Sequence, residues 1–147
     1  MPLRINLWPN PNFDPKGYHE SAIGVDISNL FVNNKFANTT NNDIDLFFSG
    51  LDDNVDYVCR VNLVRPASSM RTLKVYGANG GDWGIAPNES GETGVKTFRF
   101  RKGANTRIAV VSGMTVSDLL VERADTYDAA VGGGLPGFFT GDTMPRA

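Results

Sequence analysis

The chain has 147 residues, 41% of them hydrophobic and 10% aromatic, with nine Phe. That is the size of one domain, and it is too apolar to stay disordered. A chain of this length buries roughly 70% of the surface it exposes when unfolded, so one core is expected. Fourteen Lys and Arg against sixteen Asp and Glu give a formal charge of -2 with no basic run, which argues against a nucleic-acid partner.

Met1 to Phe13 meets polar and proline positions at once and lacks the continuous apolar stretch of a signal peptide. No later segment approaches the ~20 apolar residues that cross a bilayer. The expectation is a protein made in the cytoplasm, without membrane insertion, that stays soluble or leaves the cell by lysis. Pro9, Pro11 and Pro15 remove backbone donors and fix φ, so Leu7 to Pro15 should run as an edge or lying-down segment. Leu7, Trp8 and Phe13 would anchor it.

Period-2 alternation then recurs. It marks strands at Ile23, Val25 and Ile27; at Ile44, Leu46 and Phe48; at Tyr57, Cys59, Val61 and Leu63; and at Leu73 and Val75. The clearest case sets Phe98 and Phe100 between Thr97, Arg99 and Arg101, and Ile108 and Val110 mark another. Turn formers separate them at Asn33-Asn34, Asn38 to Asn42, Gly50 to Asn54, Pro66 to Ser69, Gly77 to Gly84 and Lys102 to Asn105. Short strands at this spacing indicate an all-β sandwich or barrel. Phe98, Phe100, Tyr57, Val61, Leu46, Ile108 and Val110 should share one core between two antiparallel sheets. Cys59, the lone cysteine, reads as a small buried hydrophobe.

The last strand, Met114 to Glu122, slips phase. Met114 and Val116 share a face, yet Leu119 and Val121 carry the next apolar pair. Either a β-bulge near Ser117 or Asp118 restores the phase, or the strand is buried on both faces. Ala124 to Val131 is the best helical candidate, about two turns ending at Gly132-Gly133-Gly134. The domain should therefore span residues 1–131. Residues 132–147 read as a Gly-rich arm whose Leu135, Phe138 and Phe139 would dock on a neighbouring subunit or another protein.

No constellation of catalytic type stands out, and the expectation is a protein that is not an enzyme. Gly132, Gly134 and Gly137 match G-x-G-x-x-G, but a dinucleotide fold needs a strand before them, a helix after them and an acid about 20 positions on, and Pro136 sits inside the match. His19, the single histidine, cannot by itself build a metal site or orient a nucleophile. Neither Ser49 nor Ser112 sits in a G-x-S-x-G elbow. The acid pairs Asp43 and Asp45, Asp52 and Asp53, and Glu89 and Glu92 read as solubilised turns rather than a glycosidase pair. Trp83, in a Gly-rich loop beside Asp82 and near Tyr76, either folds back over the domain or offers an indole to a sugar or a partner protein.

The ends of the chain carry a resemblance. Asn6-Leu7-Trp8-Pro9-Asn10-Pro11-Asn12-Phe13-Asp14 resembles the opening of carbohydrate-binding-module-like jelly rolls. Val116 to Glu122 looks like their final strand, and Phe138-Phe139-Thr140-Gly141-Asp142-Thr143 is similar to a signature that follows it in minor tail proteins of tailed bacteriophages. The resemblance implies an antiparallel two-sheet β-sandwich of jelly-roll type. It further implies a virion structural protein, a minor tail or tail-tip component in a homo-oligomer with other virion proteins as partners. A capsid decoration protein of the same fold, or a module binding a host-surface glycan through Tyr76, Asp82 and Trp83, are the alternatives. Such modules often hold a structural calcium, which here would fall to Asp14 and Asp118, with Asn10 or Asn12 near; no other cofactor is implied.

Overall fold

The computed structural model describes residues 4–8, 28–48, 50–66, 74–76, 93–103, 106–138 and 143–144. Among them the chain is mostly β-strand in antiparallel sheets, with one short α-helix, consistent with an all-β fold. The strands are β1 (Arg4–Ile5), β2 (Phe31–Val32), β3 (Lys35–Ala37), β4 (Ile44–Phe47), β5 (Asp56–Arg65) and β6 (Lys74–Tyr76). They continue with β7 (Gly94–Arg101), β8 (Arg107–Val110), β9 (Thr115–Arg123) and β10 (Thr143–Met144), and α1 (Ala124–Gly132) lies between the last two.

A five-stranded sheet runs in the order β2-β3-β9-β5-β7, a three-stranded sheet in the order β4-β8-β6, and β1 pairs with β10. The alternating stretches from Ile44 to Glu122 fall on these strands except that Phe48 and Met114 flank β4 and β9; Leu73 and the stretch expected at Ile23 to Ile27 lie outside the described residues. The β2–β3 hairpin is too short to alternate visibly. Its turn is Asn33-Asn34, both at positive φ (54° and 61°), as the favoured two-residue hairpin turn requires.

Inward side chains of both sheets meet in one hydrophobic cluster. Tyr57, Cys59, Val61, Leu63, Phe100, Leu119 and Val121 enter it from the five-stranded sheet, and Ile44, Leu46, Ile108 and Val110 from the three-stranded one. All six of the expected core residues whose side chains are described are therefore buried, and the Phe98 side chain lies outside that description. Phe100 stacks on Tyr57 at a centroid distance of 5.8 Å and meets Phe48 at the same distance. Trp8, 1% exposed, adds an edge-on contact to Phe48. Full burial pushes the Cys59 thiol far up, which keeps it protonated and unreactive.

Both readings of the last strand hold. Arg60 faces Leu120 and Asn62 faces Ser117, so β9 carries one extra residue there, and Asp118 takes it up at φ 52°. Beyond the bulge, Leu119, Leu120, Val121 and Glu122 are all fully buried, hence covered on both faces. Leu119 and Val121 point into the core. Leu120 and Glu122 share the opposite face with Val58 and Arg60 of β5, beneath α1.

The helix ends where the glycines begin. Gly134 adopts φ 89°, the Leu135 N–H donates to the Ala130 carbonyl (2.9 Å) and the Gly134 N–H to that of Val131 (3.1 Å), a Schellman termination.

Candidate functional site

The most distinctive chemistry lies where the two ends of the chain meet on the outer face of β9. β3 pairs with β9 only over Thr115 to Ser117. Past that point the N-terminal segment takes over the β9 backbone: the Leu7 N–H donates to the Val121 carbonyl at 2.7 Å. The Asn6 side chain mimics a backbone unit, accepting from the Val121 N–H (3.1 Å) and donating to the Leu119 carbonyl (3.2 Å). Asn6 is 5% exposed, so each of these bonds satisfies a group that water cannot reach.

This register carries Arg4 to Glu122. Arg4 Nε donates to Glu122 Oε2 at 2.9 Å and Nη2 to Oε1 at 2.7 Å, a bidentate pair with side-chain exposures of 2% and 0%. Thr126 Oγ1, one turn into α1, donates to Glu122 Oε2 at 2.8 Å. Arg4 Nη1 donates to the Pro136 carbonyl at 2.7 Å, and its guanidinium stands 6.0 Å from the Tyr127 ring. Both oxygens of Glu122 are occupied and enclosed. The carboxylate cannot ligate an ion without dismantling the cluster.

The nearby surface is charged but internally matched. Arg99 grips Asp128 with two hydrogen bonds (3.0 and 2.6 Å), Arg101 pairs with Asp56 at 2.7 Å and Arg123 with Asp125 at 3.1 Å. Asp56, Arg99, Arg123, Asp125 and Asp128 line an open cleft of about 400 Å³. The Arg99 and Arg123 hydrogen bonds hold the Asp128 and Asp125 carboxyls below their ordinary range. Because each guanidinium here faces a carboxylate, the cleft presents no uncompensated field to steer a charged ligand.

The residues singled out from sequence fare as follows. Tyr76 ends β6, an outer position of the three-stranded sheet as described, while Asp82 and Trp83 lie outside the described residues. Asp118 is an exposed bulge residue; Asp14, Asn10 and Asn12 lie outside the described residues. Among the described residues no three His, Cys, Asp or Glu side chains come together as a metal site. Leu135 and Phe138 are half-buried, and Phe139 lies outside the described residues.

The described part of the arm does not stand away from its own chain. Pro136 is bound by Arg4, the Phe138 ring lies 6.0 Å from the Arg60 guanidinium, and Thr143–Met144 pairs with Arg4–Ile5. Sequence reasoning missed Arg4, Asn6, Glu122 and Thr126 as a unit. The available signal was a lone acid, Glu122, closing the apolar run Leu119-Leu120-Val121. Comparison with models of known protein families, with curated proteins and with solved structures finds no match.

Proposed function

We propose that this chain is a structural protein of a tailed-bacteriophage virion, a minor tail or tail-tip component built as a jelly-roll β-sandwich. The observation that carries this reading is the use made of the most deeply buried charges among the described residues. Arg4 and Glu122 tie the first described strand to the last long one and to the arm, and they are sealed from any ligand. An ion pair placed so contributes more to a defined geometry of the chain ends than to chemistry. The β1–β10 pairing also brings Arg4 beside Met144, so whatever is joined to either end is held at one place on the domain. That suits a module appended to, or assembled on, a larger particle. The order of motifs, an Asn6 to Asp14 opening, an acid-bearing last strand and the Phe138 to Thr143 segment, supports the same reading.

The test is made on particles purified from lysates of cells infected with the phage that encodes this sequence. Mass spectrometry should find the chain in the banded particles, and labelled antibody should mark the tail or its tip in electron micrographs. Label on the head would move the reading to capsid decoration. A chain confined to the particle-free lysate would overturn it.

A further inference from the structure

We infer that the N-terminal strand is the latch of the C-terminal arm, so that the arm can leave the domain by itself but cannot stay once β1 has left. This goes beyond the virion reading and does not depend on it. The arm touches its own chain at three described places. The Pro136 carbonyl accepts from Arg4 Nη1 at 2.7 Å. Gly137 and Phe138 lie on Arg60, where a Cβ on Gly137 would stand 2.9 Å from Arg60 Nε and 3.3 Å from Tyr127 Oη. Thr143 and Met144 pair with Ile5 and Arg4.

Two of the three contacts are supplied by β1. A two-residue ladder has no stability of its own, and a cation–π contact at 6.0 Å on a half-exposed surface adds little to it. Loss of β1 removes both the backbone partner of β10 and the charged donor to Pro136, and of these described contacts the arm keeps those of Gly137 and Phe138 with Arg60 and Tyr127. The reverse does not hold. With the arm gone, Arg4 keeps both bonds to Glu122, Asn6 keeps its bonds to Leu119 and Val121, Leu7 keeps Val121, and Trp8 stays in the core. The coupling free energy is the same in both directions, but only β1 has anchors enough to survive its loss.

The Schellman turn at Gly133 and Gly134 sets the point about which the arm moves. Release would uncover Leu135 and Phe138, the apolar anchors of the arm, together with the β1 edge.

Hydrogen exchange on the full chain tests the latch. In the unaltered protein the amides of Gly137, Phe138, Thr143 and Met144 should open at least as readily as those of Arg4 and Ile5; slower exchange in the arm than in β1 overturns the proposal. In the double variant Arg4→Met, Glu122→Leu, which leaves no unpaired buried charge, the arm amides should exchange faster by about tenfold or more, as expected for loss of a charge-assisted bond. The β5 and β7 amides should be unchanged. Arm protection equal to that of the parent in this variant overturns the latch. Deletion of residues 137–147 should leave Ile5 and Leu7 protected; their complete exposure would show that the dependence runs the other way.

Discussion

Two patches of the five-stranded sheet, one on each face, are buried to the same depth by opposite means. On the inner face Tyr57, Cys59, Val61, Leu63, Phe100, Leu119 and Val121 exclude water with uncharged side chains, none more than 1% exposed. On the outer face of the same strands, Glu122 and Arg4 are as deeply enclosed, but as a charge pair held by hydrogen bonds. Inner-face burial depends on apolar area and shape, so a single truncation lowers stability roughly in proportion to what it removes. Outer-face burial is conditional: each partner is tolerable only because the other is present.

The largest expected effect tests the inner face. Phe100 packs between Tyr57 and Phe48, and Phe100→Ala should cost about 3–5 kcal/mol in chemical denaturation, the range for a large aromatic removed from a core. Cys59 offers a second readout, because its buried, protonated thiol should react with thiol reagents only when the sheets open. A loss below about 1 kcal/mol would mean that the site collapses around the gap or that Phe100 is not a core residue.

The outer face should behave differently. Arg4→Met alone leaves the Glu122 carboxylate enclosed without its cation, a change that typically costs about 3–5 kcal/mol. Adding Glu122→Leu should recover most of the loss, since an apolar pair of similar volume replaces the ion pair. No such rescue exists for Phe100→Ala, and that contrast separates the two kinds of burial. If the double variant is as unstable as the single one, the hydrogen bonds to Thr126 and Pro136, rather than the charge pair, hold the outer face together.

Asn6 lies between these extremes, being neutral but bonded on both sides. Asn6→Ala strips partners from the buried Val121 N–H and Leu119 carbonyl, and should cost about 1–3 kcal/mol by the desolvation of what it orphans. Asn6→Asp separates its two roles, since a carboxylate accepts from Val121 N–H but cannot donate to the Leu119 carbonyl. It should be no better tolerated than Ala when measured by thermal melting.

What could be read from the sequence follows from the same division. Strands β5, β7 and β9 announce themselves because their two faces meet different media or shift phase, and the slip between Val116 and Leu119 locates the Asp118 bulge to within a residue. The helix is legible because Gly132 to Gly134 cannot easily extend it. The β2–β3 strands are not, because two and three residues are too few to show a period, although Asn33-Asn34 marks their turn. The clasp of the chain ends is not legible either. Alternation tells that Glu122 faces away from Val121, but nothing local tells that its partner stands 118 residues earlier. The contacts of the arm are hidden for the same reason: its glycines and Phe138 describe a segment that can bend and needs cover, without saying that Arg60 and Arg4 of its own chain touch it.

The bulge allows a smaller test. Asp118 adopts a left-handed conformation that glycine accepts without steric cost, and its side chain is exposed, so Asp118→Gly should change stability by less than about 1 kcal/mol. Asp118→Val, β-branched at positive φ, should be clearly worse than Gly despite its strand propensity. Equal tolerance of Gly and Val would mean that the bulge can move along β9.

The smallest expected effect sets two ion pairs of like geometry against each other. Arg99 grips Asp128 with two hydrogen bonds, as Arg4 grips Glu122, but its side chains are 56% and 52% exposed where the other pair is 2% and 0%. Water screens the exposed pair, so Asp128→Asn should cost only about 0.2–1 kcal/mol. The Arg99 hydrogen bond holds the Asp128 carboxyl below its ordinary value of 3.8. The unfolded chain therefore takes up this proton first as pH falls. The pair's contribution is present above pH 3.8 and drains away below it, through the lowered folded value. Added salt should weaken the contribution, since both side chains lie within reach of counterions, whereas the Arg4 single variant should lose the same stability at low and high salt. Asp128→Asn as costly as Arg4→Met, or a salt dependence shared by both pairs, would mean that exposure does not separate them, and the claim that enclosure makes the Arg4–Glu122 pair conditional would fail at its most direct comparison.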